Sequence, residues 1–454
     1  MRKTVVLDVV GLSATLVGEH TPFLAAYAKK HHQSTIAPML PAVTTTVQST
    51  YLTGQWPGEH GIVGNGWYDR TDAEIKFWKQ SNHLVQAEKV WERARRLHPG
   101  FTCSKMFWWY NMYSSADFSV TPRPQYLSDG RKMPDCYAHP ASLRDALQKE
   151  LGQFPLFQFW GPGANIVSSK WIADASILTD KWYNPSLTLI YLPHLDYCLQ
   201  KYGHDDTKIA PELRAIDELC RQLVEHYEKQ GCEIIILSEY GITNVSKPVH
   251  LNRLLREHGL IAVREERGLE LLDAGASRAF AVADHQVAHV YVNDGSCFRK
   301  VRELVEQLPG VELVLDREGK RKHHLAHERS GDLVLVADAD SWFTYYYWLD
   351  DAKAPDFARI VDIHRKPGYD PVEMFLNPAD PFVKLKVIGK VLKKKLGFRY
   401  LMDVIPLDAT LIKGSHGRMA EDSRHHPVLI TTQPVKEKVV ATDVHDIILQ
   451  HLGL

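Results

Sequence analysis

The sequence predicts an α/β protein built on a mostly parallel, doubly wound central sheet. Three observations predict it. Continuous β-branched runs recur along the chain, and such runs mark strands covered on both faces. Polar, amphipathic helical stretches such as 211–229 lie between them, and alternating strand and helix is the pattern of a doubly wound sheet. Acidic or imidazole residues follow directly on the run ends, where open α/β sheets place their ligands.

Taken in order, the first run is Thr4–Leu7, continuing through Asp8 to a loop at Gly11. Leu187–Leu192 ends just before His194 and Asp196, and Cys232–Leu237 ends at Ser238-Glu239-Tyr240-Gly241. Ala279–Ala283 ends at Asp284-His285, and Leu333–Ala337 ends at Asp338. All five runs are expected to share one sheet, with their polar ends along one edge. Two segments break this rhythm. One is aromatic, Met106–Tyr113; the other runs from about 345 to 400 and carries the basic run Lys390–Lys395. Residues 1–344 and 401–454 are expected to form the core, and 345–400 a cap insertion. The Lys run reads as a solvated helix face.

With 454 residues the chain can bury a large core, either as several domains or as one large α/β domain with a cap. The formal net charge is -1, so no global field recruits nucleic acid or an anionic membrane, and neither is expected as a partner. Any anion site must be local. The 6 cysteines are scattered without a Cys-x-x-Cys pair, as for free buried thiols in a reducing compartment. The apolar run after Met1 is too short for a signal-peptide core and contains Asp8, and no apolar run is long enough to span a membrane. The expectation is a cytoplasmic protein.

The most informative stretch is Pro41–Asn65. It places Thr44, with Thr45 and Thr46 as alternatives, at the start of a helix. Free N–H groups and a partial positive charge there suit an anionic phosphoryl group. A Thr hydroxyl becomes a nucleophile when a metal or base lowers its pKa. The remaining punctuation is Thr53-Gly54, His60-Gly61-Ile62 and Asn65. On these residues the segment resembles the nucleophile segment of the nucleotide pyrophosphatase/phosphodiesterase branch of the alkaline phosphatase superfamily. The resemblance implies a three-layer sandwich and a metal-dependent hydrolase of phosphodiester or pyrophosphate bonds. It implies Thr44 as nucleophile through a phosphothreonine, and Asn65 as amide donor to a nonbridging phosphoryl oxygen. It also implies two divalent metal ions, zinc by preference. One would be held by Asp8, Thr44 and the 239–240 pair, the other by Asp196, position 200 and His416, which lies in Gly414-Ser415-His416-Gly417.

Two positions depart from the family pattern. Gln200 stands where a His is expected, and Glu239-Tyr240 where an Asp-His pair is expected. Oxygen donors in place of nitrogen shift preference toward manganese or magnesium. His285 is a candidate to restore an imidazole. Trp108 and Tyr110, in the aromatic run, are candidate contacts for a planar substrate group such as a nucleobase. The expected partner is a small phosphorylated molecule, a nucleotide being one candidate. Arg123, Lys366, Arg418 and Arg424 could meet a phosphate away from the metals. Two alternatives stay open: a phosphomonoester or phosphonate hydrolase on the same scaffold, and a catalytically degraded phosphate-ligand-binding protein.

Overall fold

In the computed structural model, which describes residues 1–454, Thr4–Val9 (β1) forms the middle of a nine-stranded sheet. Its other strands are His32–Ala37 (β2), Cys103–Met106 (β3), Phe118–Pro122 (β4), Cys136–His139 (β5), Leu187–Leu192 (β6) and Glu233–Leu237 (β7). A second sheet supplies Ala279–Asp284 (β8), Val287–Val292 (β9), Val311–Leu315 (β10) and Leu333–Ala337 (β11), before Val428–Thr431 (β12) and Val439–Val440 (β13) return to the first. The order across the large sheet is β13-β2-β12-β7-β1-β6-β3-β4-β5. The five strands from β7 to β4 run parallel, while β12 and β5 are antiparallel to their neighbours. Every residue of β1 and β6 is buried, which is why their sequences read as unbroken apolar runs.

Helices cover both faces, giving three layers. Helix α1, Thr44–Thr53, packs with the last helix, Asp443–Leu452. Ile166–Tyr183 (α2) and Asp206–Glu228 (α4) pack on each other and on β6 and β7. Between α2 and α4 lies α3, His194–Tyr202, which starts directly after β6. No helix is long and apolar enough to cross a membrane.

The runs at 279–283 and 333–337 do not join the large sheet. They are β8 and β11 of a separate antiparallel sheet ordered β8-β9-β11-β10. Burial on both faces gives a run the same apolar look in either setting, so composition cannot assign it to a sheet. Residues 345–400 contribute no strand. Tyr345–Trp348 are buried in an aromatic cluster with Tyr197 and Val372, short helical turns follow, and Val383–Lys395 forms a helix, α5.

Candidate active site

Three neighbouring parallel strands, β7, β1 and β6, end at one edge and deliver the site. Asp8 pairs in register with Tyr191 and Leu237 near the end of β1. Glu239 and Tyr240 follow β7, and Asp196 lies in the first turn of α3, just after β6. Over this edge lies the start of α1. Its cap, Val43, has no side-chain acceptor, so first-turn N–H groups are left for other partners. Gly54 ends α1 in the left-handed conformation (φ +66°), and a Cβ there would meet the His445 side chain at 3.1 Å. The Thr-Gly of the motif is thus a helix stop packed on the last helix.

The three threonines face different neighbours. Thr44 Oγ1 is 2.8 Å from the Tyr240 hydroxyl, which itself donates to Asp196 Oδ1 at 3.3 Å. Thr45 donates its hydroxyl to the Gly64 carbonyl, and its N–H to Asn65 Oδ1 at 3.0 Å. Thr46 Oγ1 is buried without a partner. Asn65 in turn donates its backbone N–H and side-chain amide to the two oxygens of Asp284, at 2.8 and 3.0 Å.

Asp196 is the hub of a closed ring of contacts. Gln200 donates to its Oδ2 at 2.8 Å, and Tyr369 donates to Gln200 Oε1 at 2.9 Å. His416 Nε2 lies 3.5 Å from Asp196 Oδ1 and has no hydrogen-bond partner, while its Nδ1 donates to the Ala42 carbonyl at 2.8 Å. Four rings stack in series beside this carboxylate. Tyr240 lies on His416 (3.7 Å between centroids, 7° apart), His416 on His285 (3.8 Å), and His285 on Tyr369 (3.6 Å). His285 reaches this stack from the two-residue turn between β8 and β9, where it adopts φ +59°, and its Nδ1 bonds Asp284 Oδ1 at 2.8 Å. Gly417 holds the opposing loop close: its φ is +120° and a Cβ would lie 3.0 Å from the Gln286 nitrogen.

Asp8 and Glu239 share one donor. The Gln48 amide nitrogen donates to Glu239 Oε1 at 2.6 Å and reaches Asp8 Oδ2 at 3.4 Å, while Gln48 Oε1 accepts the Trp109 N–H at 2.7 Å. Asp8 Oδ1 and Glu239 Oε2 are buried and have no partner. Burial pushes the Asp8 and Asp196 carboxyls each up to about 7, and Asp284 up to about 6. Burial, reinforced by Asp8, drives Glu239 well above the usual carboxylate range. Burial also holds His285 and His416 well below the ordinary imidazole value, and Tyr240 well above the ordinary phenol.

Asp8, Thr44, Asp196, Gln200, Glu239, Tyr240, His285 and His416 are therefore brought together, with Asn65 beside them. Trp108 is fully buried in the main core, where packing accounts for it, whereas Tyr110 is buried in a smaller cluster with Trp67 and Trp109. Lys366 is paired with Asp370 and Glu373, Arg418 with Glu312, Arg424 with Asp422, and Arg123 is exposed. His204 donates to the Ile242 carbonyl at 2.7 Å. His194, Cys198 and Glu212 bring three ligand atoms within 4.8 Å of one another. That group lies on the far side of α3, because residues two apart on a helix point about 200° apart.

Sequence reading missed Gln48, Asp284 and Tyr369 as site residues. Gln48 sits one turn after Thr44 on the same helix face, which is the one signal it gave. Asp284 was visible only as one more acid at a run end, and Tyr369 only as part of the 345–400 segment.

At this edge of the α/β sandwich a threonine hydroxyl at a helix start thus faces carboxylates from adjacent strand ends and a glycine-flanked imidazole. A family profile described as type I phosphodiesterase / nucleotide pyrophosphatase matches residues 4–370. The chain belongs to that family of enzymes. It is 24% identical over 246 residues to an uncharacterized pyrophosphatase/phosphodiesterase of Schizosaccharomyces pombe, covering 52% of this chain and 42% of that protein. It is 23% identical over 394 residues to ectonucleotide pyrophosphatase/phosphodiesterase 2 of Saccharomyces cerevisiae, covering 79% of this chain and 68% of that one. The chain thus spans less than half of the first relative and about two thirds of the second. Among solved structures, murine ectonucleotide pyrophosphatase/phosphodiesterase 5, an inactive threonine-to-alanine variant in complex with AMP, superposes with a TM-score of 0.61 at 15% identity, covering 100% of this chain and 96% of that one. Phosphonoacetate hydrolase from Sinorhizobium meliloti 1021, in complex with phosphonoacetate, gives 0.62 at 14% identity, covering 99% and 96%.

Proposed function

We propose that this protein hydrolyses phosphodiester or pyrophosphate bonds of a small phosphorylated substrate, with Thr44 as nucleophile. The observation that carries the reading is the Thr44–Tyr240–Asp196 chain of hydroxyls and carboxylate at a helix start. Because the Tyr240 hydroxyl donates to Asp196, it accepts from Thr44, which turns an Oγ1 lone pair outward. Thr44 Oγ1 attacks phosphorus, the bond to the leaving oxygen breaks, and the Thr44 proton passes through Tyr240 to Asp196 Oδ1. The first-turn N–H groups other than that of Thr45, which is bonded to Asn65 Oδ1, and the second amide hydrogen of Asn65 hold the charge on the nonbridging oxygens. Water then attacks phosphorus, the bond to Thr44 Oγ1 breaks, the proton held on Asp196 returns through Tyr240 to Oγ1, and the proton of water leaves with the phosphate product. The inactive threonine variant of the murine relative fits the same role for Thr44.

The family implies divalent metals, and the two places differ in how well they fit. Asp8 and Glu239 each offer a buried oxygen without a partner, which suits a hard cation such as manganese or magnesium, with Thr44 as a further oxygen ligand. Asp196 is poorer, because both its oxygens are engaged by Tyr240 and Gln200, leaving His416 Nε2 as the free donor. A bound cation supplies positive charge that lowers a hydroxyl pKa and offsets phosphoryl charge. Zinc loses its usual advantage here with an imidazole missing from each place. Residues 345–400 act as a cap, contributing Tyr369 to the site. Six buried free cysteines favour a reducing, cytoplasmic setting.

A monoester or phosphonate substrate, as in the complex of the Sinorhizobium relative, would bring a dianion. The basic residues singled out for that task are spent on acidic partners or exposed, which favours a diester. The degraded-scaffold reading is favoured by one feature, the Gln48 amide spanning the Asp8 and Glu239 carboxyls.

The deciding experiment is hydrolysis of bis(p-nitrophenyl) phosphate by metal-stripped protein resupplied with zinc, manganese or magnesium, beside Thr44→Ala. The expected result is metal-dependent turnover that falls by about a thousandfold or more in Thr44→Ala. Equal turnover by both proteins removes Thr44 from the mechanism. No turnover with any ion favours the binding-protein reading.

A further inference from the structure

Helix α5, Val383–Lys395, wears its polarity inside out. Val383 and Val387 pack inward on the aromatic cluster of the 345–400 segment, and Lys394 lies over the Phe157 ring at 5.2 Å. Lys390 is tied down beside them by Asp403. The outward face carries Leu385, Ile388, Leu392 and Leu396, with 63%, 62%, 55% and 63% of their surfaces exposed, beginning at the exposed Phe382. At about 100° per residue these five fall within an arc of roughly 120°. An ordinary surface helix turns such a stripe to the core.

Charge frames the stripe. Lys384 and Lys395 border one side of the arc and Lys393 the other, where Lys386 is paired with Asp380. From residue 381 to 402 the chain has seven Lys or Arg and no Asp or Glu, although the whole protein carries a net charge of -1. Long Lys side chains beside an apolar stripe can keep their ammonium groups in water while the stripe is buried. At 13 residues α5 is about 20 Å long, too short to cross a bilayer, and the rest of the chain has no spanning helix either.

We propose that α5 is a docking surface for an anionic lipid bilayer, lying in the interface plane with Phe382, Leu385, Ile388, Leu392 and Leu396 inserted and the lysines at headgroup level. Charge complementarity selects this occupant. A second copy of the chain would press like charges together around the stripe, whereas an anionic leaflet supplies both the apolar phase and the opposite charge. The sequence alone gave the Lys run as a solvated face and no membrane partner; the orientation of α5 on the cap is what changes the reading.

The test is co-sedimentation of the full chain with vesicles of phosphatidylcholine containing about 30% phosphatidylserine, beside pure phosphatidylcholine, at low and high salt. The expected result is partitioning to the anionic vesicles at least about tenfold stronger than to neutral ones, and weakened by salt. Leu385→Glu/Leu392→Glu and, separately, Lys384→Glu/Lys393→Glu/Lys395→Glu each lower it about tenfold or more, with unchanged circular dichroism and Tm. All these positions are exposed, so the fold is not at stake. No partitioning of the native protein overturns the proposal, as does partitioning of either variant equal to that of the native protein. Self-association that Leu385→Glu/Leu392→Glu abolishes, with no vesicle binding, overturns it in favour of a second copy.

Discussion

Three consecutive threonines open α1, and their hydroxyls meet Tyr240, the Gly64 carbonyl and nothing. Sequence supplies the set; only the neighbours single out Thr44. His60 shows the same dependence on neighbours. Its Nδ1 accepts the Ile62 N–H at 3.1 Å, so Nε2 carries the proton toward Thr50 Oγ1 at 2.9 Å. A second proton on Nδ1 would face that N–H. Burial first, then the nearby His327, lowers His60 to about 3. Because the folded pKa lies below the unfolded value of about 6.5, the unfolded chain binds more protons. The stability contributed by neutral His60 is full above about pH 6.5 and is lost as pH falls toward about 3. Urea unfolding between about pH 7 and about pH 4 should therefore show a steeper loss for the native protein than for His60→Gln. Equal slopes would exclude His60 as a source.

At the scale of elements, the segment 362–373 is fastened by one buried cation. Lys366 Nζ lies 2.7 Å from both Asp370 Oδ2 and Glu373 Oε1, all three side chains being almost wholly enclosed. Glu373 also accepts from Trp160 Nε1 at 2.5 Å and from the Asp362 N–H at 2.8 Å. The same segment places Tyr369 against Gln200 and His285. Lys366→Ala leaves two carboxyls buried without their cation and should cost about 3–5 kcal/mol in chemical denaturation. A loss below about 1 kcal/mol would mean the pocket admits water. Lys366 was read in sequence as a phosphate contact; burial between two acids gives it a fastening role instead. The hairpin β8–β9 is the second such element, because its turn carries His285 to the imidazole stack and its last strand residue carries Asp284 to Asn65.

For the whole molecule, three acids, Asp8, Asp196 and Glu239, are buried at one edge of the large sheet, and the second sheet brings a fourth buried acid, Asp284, to Asn65 beside them, in a chain of nearly zero net charge. Desolvated carboxyls in such number are relieved either by protons or by a cation. A cation that binds the folded state alone, at a hundredfold excess over its Kd, adds about 2.7 kcal/mol, enough to raise Tm by several degrees. Manganese or magnesium should raise the Tm of metal-stripped protein more than zinc does, and Tyr240→His should move the larger shift toward zinc. Absence of any shift with all three ions would leave the carboxyls to protons and to Gln48.

Much of the architecture was legible in the chain. Strands buried on both faces must be apolar throughout, so β1 and β6 appeared at close to their observed bounds, and the acids at their ends were visible as site candidates. His416 was legible because glycines on both sides leave core packing no reason for an imidazole. The sheet to which β8 and β11 belong was not legible, since a buried run looks alike in either sheet. Nor were the partners of each polar group, because hydrogen bonds join residues far apart in the chain: Gln48 with Glu239, Tyr369 with Gln200, Asn65 with Asp284. The sequence by itself determined which chemical groups the strand ends carry, through the local demand that strands be apolar and turns permissive. The tertiary structure decided which of those groups meet, which carboxyl oxygens stay unpartnered, and which way α5 faces, because these depend on packing between elements that no local pattern encodes.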